Sequence, residues 1–217
     1  MITTVLFDLD GTLIHSSPGV LETFRETFAR EGVTPVQAVD ERVIGPPLLT
    51  TIERLTGITD AARVEELART FRGIYDAVGA LVAEPYPGLL EVLDALVGSG
   101  RRAYIVTNKR ISPARRIAEH LGMTPRLGGV YALDSYAPPA PRKRAVVERV
   151  LHEHAIDPAL AVMVGDSVED GEAAAGNGVR FIAATYGYGS PLGGMEPAAV
   201  LHRLTDLPAM LAHLDAV

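Results

Sequence analysis

Three short apolar runs in this sequence stop at polar residues able to handle phosphate or a hard cation. Asp8 and Asp10 follow residues 3–7, Thr107 and Asn108 follow residues 103–106, and Asp166, Ser167 and Asp170 follow residues 160–164. A carboxylate can take a phosphoryl group onto oxygen, dividing one difficult displacement into two easier ones. A second carboxylate two residues away can protonate the leaving oxygen and then deprotonate an attacking water. Carboxylates repel a phosphate dianion, so this chemistry demands a cation, and Mg²⁺ suits an all-oxygen site that keeps waters and meets substrate phosphate. Two acids ending a strand often do no more than cap the next helix. The longer phrase Asp8-Leu9-Asp10-Gly11-Thr12-Leu13 behind five residues of strand character is far more specific.

The elements that must position these residues are legible around them. The three runs, with a fourth at residues 179–184, are nearly continuous in apolar character, as expected of strands buried on both faces of a parallel sheet. Helical stripes lie between them: Leu89, Leu90, Leu93, Leu96 and Val97; Ile117, Ala118 and Leu121; Ala145, Val146, Val147, Val150 and Leu151. Gly98 and Gly100 end the first helix, and Ser112-Pro113 is expected to open the second as cap and first turn. Strand–helix alternation with short connections predicts an α/β fold with a doubly wound parallel sheet. Ligands in such sheets bind beyond the carboxyl ends of the strands, which predicts one shared site for the three clusters.

One region breaks this rhythm. From about Ser16 to Ala83 the periodicity is helical, with helices expected near 19–30, 36–43, 47–55 and 60–78. Asp60 is a plausible cap for the last, whose apolar face is Val64, Leu67, Ala68, Phe71, Ile74 and Tyr75. Pro85-Tyr86-Pro87-Gly88 punctuates the return. The expected organisation is therefore a Rossmann-like core of residues 1–15 and 84–217, with an α-helical cap of residues 16–83 inserted after the first strand.

The three motifs together resemble the haloacid dehalogenase superfamily in its phosphatase branch, and the resemblance covers essentially the whole chain. The inserted helices fall where that family carries a small helical cap. The resemblance implies Asp8 as nucleophile, Asp10 as acid/base, and Thr107 with Asn108 at the phosphoryl oxygens. It assigns Mg²⁺ to Asp8, the backbone carbonyl of Asp10, and Asp166, with Asp170 as a supporting carboxylate. It also implies a lysine that contacts nucleophile and phosphoryl group. The chain has only two lysines, Lys109 and Lys143, and Lys143 opens the helix before the Asp166 strand, where the family places this residue. Many members follow that lysine with proline; here Arg144 follows. Lys109 receives no assigned role, and His15 lies next to the expected hinge.

The resemblance continues in Arg42-Val43-Ile44-Gly45-Pro46-Pro47-Leu48, which is similar to a cap segment of phosphoglycolate phosphatases and some 5′-nucleotidases. Gly45 would allow close approach of backbone to substrate, and Arg42 would meet a second anion. The expected activity is Mg²⁺-dependent hydrolysis of a small phosphorylated metabolite. A 5′-nucleotidase, a hexose-phosphate mutase and a non-enzymatic phosphoacceptor module are the alternatives.

Composition narrows the rest. With 27 acidic against 20 basic residues the formal charge is −7, the wrong sign for a nucleic-acid partner. No Cys excludes disulfides and thiolate metal sites. No apolar run is long enough to span a bilayer, and a cytoplasmic protein is expected. His152 and His154, two apart on a helix, point in different directions. Gly187-Tyr188-Gly189 reads as a turn.

Overall fold

The computed structural model describes every residue except Pro191, Met195 and Val217. The described residues form eight strands: β1 (Thr4–Phe7), β2 (Ile14–His15), β3 (Glu84–Pro85), β4 (Arg102–Thr107), β5 (Gly129–Ala132), β6 (Ala161–Gly165), β7 (Arg180–Ala184) and β8 (Ala199–Leu201). The helices are α1 (Ser17–Arg30), α2 (Leu48–Thr56), α3 (Ala61–Ala77), α4 (Leu89–Gly98), α5 (Ile111–His120), α6 (Lys143–Glu153), α7 (Val168–Ala175) and α8 (Leu207–Ala216). The chain divides into two compact units, one of Met1–His15 with Pro85–Val217 and the other of Ser16–Glu84.

The larger unit holds a six-stranded parallel sheet in the order β5-β4-β1-β6-β7-β8. All four residues of β1 are buried, because the strand is central and both of its faces are covered. On one face Leu6, Tyr104, Val106, Met163, Phe181 and Ala183 pack against Val146, Val147 and Val150 of α6 and Ala173 and Ala174 of α7. On this scale of burial, truncating Leu6 to Ala would cost about 2–5 kcal/mol. The sheet reverses direction at β1, whose neighbours β4 and β6 run outward on opposite sides. Phe7 stands in register with both Ile105 and Val164. Asp8, Thr107 and Asp166 therefore leave the sheet at one end, at the topological switch point.

β5 and β8 were not among the expected strands. Each is a short sheet edge, only partly buried, and Gly-Val-Tyr-Ala or Ala-Val-Leu is too brief to show a period. The start of α5 also differs from expectation. Ser112 and Pro113 lie inside the helix, and Asp134 Oδ1 accepts from Ile111 N at 2.9 Å, so the cap comes from a distant loop.

The smaller unit is helical. Phe24 of α1 packs on Phe71 of α3 with ring centroids 4.4 Å apart. Asp60 caps α3, its side chain accepting from Arg63 N at 2.8 Å. The helix expected at 36–43 is replaced by irregular chain and a single 3₁₀ turn, Glu41–Val43. Asp40 caps that turn through Arg42 N, and Gly45 at φ 102° followed by Pro46-Pro47 prevents its continuation. No helix of the described residues is long and apolar enough to cross a membrane.

Candidate active site

Asp8 follows β1 directly, its N–H bonded to Val164 O of β6 at 2.9 Å. From there the chain turns back on itself. Leu13 N bonds Leu9 O at 2.9 Å and Gly11 N bonds Ile14 O at 2.9 Å, which sets Asp10 on a tight loop. Gly11 adopts φ 79°, and a Cβ there would collide with the Asp166 carboxylate. The position requires glycine twice over, for its conformation and for the approach of Asp166.

Lys143, the first residue of α6, is buried and bridges two carboxylates. Its Nζ donates to Asp8 Oδ1 at 2.8 Å and to Asp170 Oδ1 at 2.6 Å. Burial alone would lower this amine, but Asp170 and Asp8 outweigh it and hold the ammonium above the ordinary lysine range. The other oxygen of Asp170 accepts from Ser167 N at 3.1 Å and Ser167 Oγ at 2.6 Å, a reciprocal cap at the start of α7. Asp166 is held from the opposite side, Oδ2 accepting from Tyr188 N at 2.8 Å and Gly189 N at 3.0 Å. Burial raises Asp166 despite these bonds. Asp8 is pushed up to about 8, first by burial and then by Asp170 and Asp166, with Lys143 working the other way.

Thr107 Oγ1 accepts from Lys109 N at 3.1 Å, which leaves the hydroxyl proton as its donor. Asn108 donates from Nδ2 to Glu169 Oε2 at 2.7 Å, so its side chain ties the end of β4 to α7. Lys109, given no role from the sequence, lies 3.0 Å from Asp10 Oδ1 through Nζ. The structure thus gathers Asp8, Asp10, Thr107, Asn108, Lys143, Asp166 and Asp170 at neighbouring strand ends of one unit. Arg42 and Gly45 belong to the helical unit. There the Arg42 guanidinium, largely exposed, is engaged by Asp40 at 2.9 and 2.6 Å, and Gly45 has open space around it.

The order of these residues along β1, β4, α6 and β6 is matched by a known family. The chain fits the family described as haloacid dehalogenase-like hydrolase over residues 5–184. It belongs to that family. Among curated relatives, a 5′-nucleotidase of Pseudomonas aeruginosa is 32% identical over 214 residues, covering 98% of this chain and 94% of the relative. A phosphoglycolate phosphatase of Rhodospirillum rubrum is 34% identical, covering 94% and 86% respectively. Among solved structures, a haloacid dehalogenase-like hydrolase of Streptococcus pneumoniae superposes with a TM-score of 0.85 at 29% identity, covering 97% of this chain and 98% of that one.

The donor chemistry fits the divalent cation associated with this hydrolase family. Asp8, Asp166 and Asp170 are buried and offer one carboxylate oxygen each within 4.8 Å of one another. The set is all oxygen, which selects a hard cation. Asp170 already commits both oxygens to Lys143 and Ser167, so it supports the cluster from behind.

Two features of the hydrolase site escaped the sequence reading. Gly187-Tyr188-Gly189 is a turn, but one folded around Asp166; a Cβ on Gly187 or Gly189 would run into Asp166 or Gly11. Its signal was the pair of glycines flanking an aromatic just past a strand end. The Lys109–Asp10 pair had a signal too, the scarcity of lysine in this chain.

Proposed function

We propose that this hydrolase is a phosphatase that cleaves a small phosphate monoester through an aspartyl-phosphate on Asp8. The observation that carries the proposal is the buried bridge from Lys143 to Asp8 and Asp170, beside Asp166 and within a strand's width of Thr107. Asp8 attacks phosphorus, and the bond to the leaving oxygen breaks as Asp10 delivers a proton to it. Water then attacks the phosphoryl group, Asp10 takes its proton, and Asp8 is released. Lys143 favours the ionised form of Asp8 against burial and, with the Thr107 hydroxyl and the Asn108 backbone N–H, donates to the phosphoryl oxygens. Mg²⁺, held by Asp8, the Asp10 carbonyl and Asp166, supplies the positive charge that keeps the carboxylates ionised and offsets that of the phosphate.

The substrate class is a small phosphorylated metabolite of the phosphoglycolate type, supported by the Rhodospirillum rubrum relative. Hydrolysis of nucleoside monophosphates is the second reading, supported by the Pseudomonas aeruginosa relative. The core would occupy residues 1–15 and 84–217 and the cap residues 16–83, working in the cytoplasm. For Arg42 to serve the substrate it must exchange Asp40 for a substrate anion; Gly45 would admit the substrate's approach.

Phosphate release from 2-phosphoglycolate, nucleoside monophosphates, sugar phosphates and an aryl phosphate tests the proposal, with and without Mg²⁺. Release should depend on the metal and vanish in Asp8→Asn. Substantial turnover by that folded variant would sink the mechanism.

A further inference from the structure

Of the 20 basic residues only two are lysines, and both meet carboxylates of the site. Lys143 has its role in the mechanism above; Lys109 does not. Its side chain is 9% exposed and its Nζ lies 3.0 Å from Asp10 Oδ1, whereas a surface pair such as Arg25–Glu22 is 55% and 74% exposed. The backbone at this point is pinned on both sides. Lys109 N donates to Thr107 Oγ1, Asn108 is tied to Glu169, and Ile111 N is capped by Asp134. A desolvated ammonium is costly unless paired, so its place beside the acid/base carboxylate is a built feature.

We propose that Lys109 is a specificity-determining residue that positions Asp10 and binds an anionic group on the leaving alcohol, selecting phosphorylated 2-hydroxy carboxylates over phosphate esters of neutral alcohols. The inference rests on the phosphatase reading above. When Asp10 protonates the bridging oxygen the two atoms lie about 2.7 Å apart. A carboxylate on the neighbouring carbon has its oxygens roughly 3 Å from that bridging oxygen. An ammonium beside Asp10 is therefore within reach of such a carboxylate. Three rotatable donors let one ammonium serve two carboxylates at once, as Lys143 does with Asp8 and Asp170. An ester carrying a hydroxymethyl group in place of the carboxylate forfeits the charge-assisted bond, a difference worth about 10- to 100-fold in kcat/KM.

The test compares 2-phosphoglycolate with 2-hydroxyethyl phosphate, which differ only in that group, and adds an aryl phosphate. In the wild type the carboxylate ester should be preferred. In Lys109→Met and Lys109→Gln this preference should fall about 10- to 100-fold, mostly through KM for the carboxylate ester. The kcat on both esters should also fall as Asp10 loses its partner. Lys109→Arg should recover part of the preference. An equal loss on both esters, with the preference intact, overturns the inference, as does a wild type that favours the neutral ester; either leaves the phosphatase reading standing. A wild type that releases phosphate from none of the three compounds overturns the phosphatase reading itself.

Discussion

Lys143→Met removes the one positive charge lodged between Asp8 and Asp170, and its cost follows from the geometry. The three carboxylates offer oxygens within 4.8 Å of one another. Two unit charges at that separation repel by roughly 3.5 kcal/mol at an effective dielectric of 20. Relief by protonation falls on Asp8, which burial has already pushed up to about 8, so the repulsion sets an upper bound on the cost. That bound lies within the range of about 3–5 kcal/mol known for breaking a buried pair from one side. Metal-free protein should lose up to about 3–4 kcal/mol, a drop in Tm of at most roughly 6–16 °C for a chain of this size. The chain has no Trp, so far-ultraviolet circular dichroism during thermal and urea unfolding is the suitable probe. Adding Asp170→Asn to Lys143→Met removes the share of the repulsion that Asp170 contributes and should restore part of the loss, while activity stays abolished. A Lys143→Met protein as stable as wild type, or one that Asp170→Asn destabilises further, would refute the electrostatic account of this cluster.

Three other outcomes follow from the same structure. Asp10→Asn removes the base of the second step, so an aryl phosphate, whose good leaving group needs little acid, should give a burst and then leave phosphate on the protein; intact mass reads it directly. Gly189→Ala places a methyl against the Asp166 carbonyl, which is backbone and cannot yield, so activity should drop sharply and stability fall by about 1–3 kcal/mol in melting experiments. Asp215 receives Ile2 N–H and Arg101 Nη2 (2.6 Å), contacts that outweigh burial and hold its carboxyl below the usual range. Asp215→Ala should cost about 1–2 kcal/mol at neutral pH. Because the folded-state pKa is the lower one, that gap should persist down to about pH 4 and narrow below it as Asp215 takes its proton. A gap that widens on acidification would contradict the assignment.

What the sequence disclosed and what it withheld have physical reasons. Buried parallel strands announce themselves as apolar runs, so β1, β4, β6 and β7 were legible along with the polar residues at their ends. β5 and β8 were not, because an edge strand half-exposed over three or four residues has neither a run nor a period. In the helical unit, apolar spacing at 36–43 suggested a helix, but the pattern carried no weight against Gly45 and two prolines. At the site, residue types pointed to Asp8, Asp10, Thr107, Lys143 and Asp166, all of which meet at the strand ends. The Tyr188 and Gly189 contacts to Asp166 use backbone N–H groups, which every residue carries, so the flanking glycines were the sole mark they left in the sequence. Ser112 looked like a cap because caps are sought locally, whereas Asp134 does that work from 23 residues away.

The central place of β1 also sets a timetable for the molecule as it is made. Thr4 pairs with Arg102 on one side and with Ala161 on the other. At ribosomal speeds of about 5–20 residues per second, the second partner emerges roughly 8–30 s after β1 itself. The helical segment needs no such wait, since α1 and α3 are close in sequence and local contacts form fastest. Until β4 emerges Thr-Val-Leu-Phe is an apolar strand with two unpaired edges, and until β6 emerges one edge stays open, the kind of segment that recruits chaperones or aggregates. Asp8 rides at its end. The residue proposed to attack phosphate is thus synthesised well before β6, yet acquires its surroundings only when β6 docks, and a nascent chain stopped short of Gly165 should be catalytically silent.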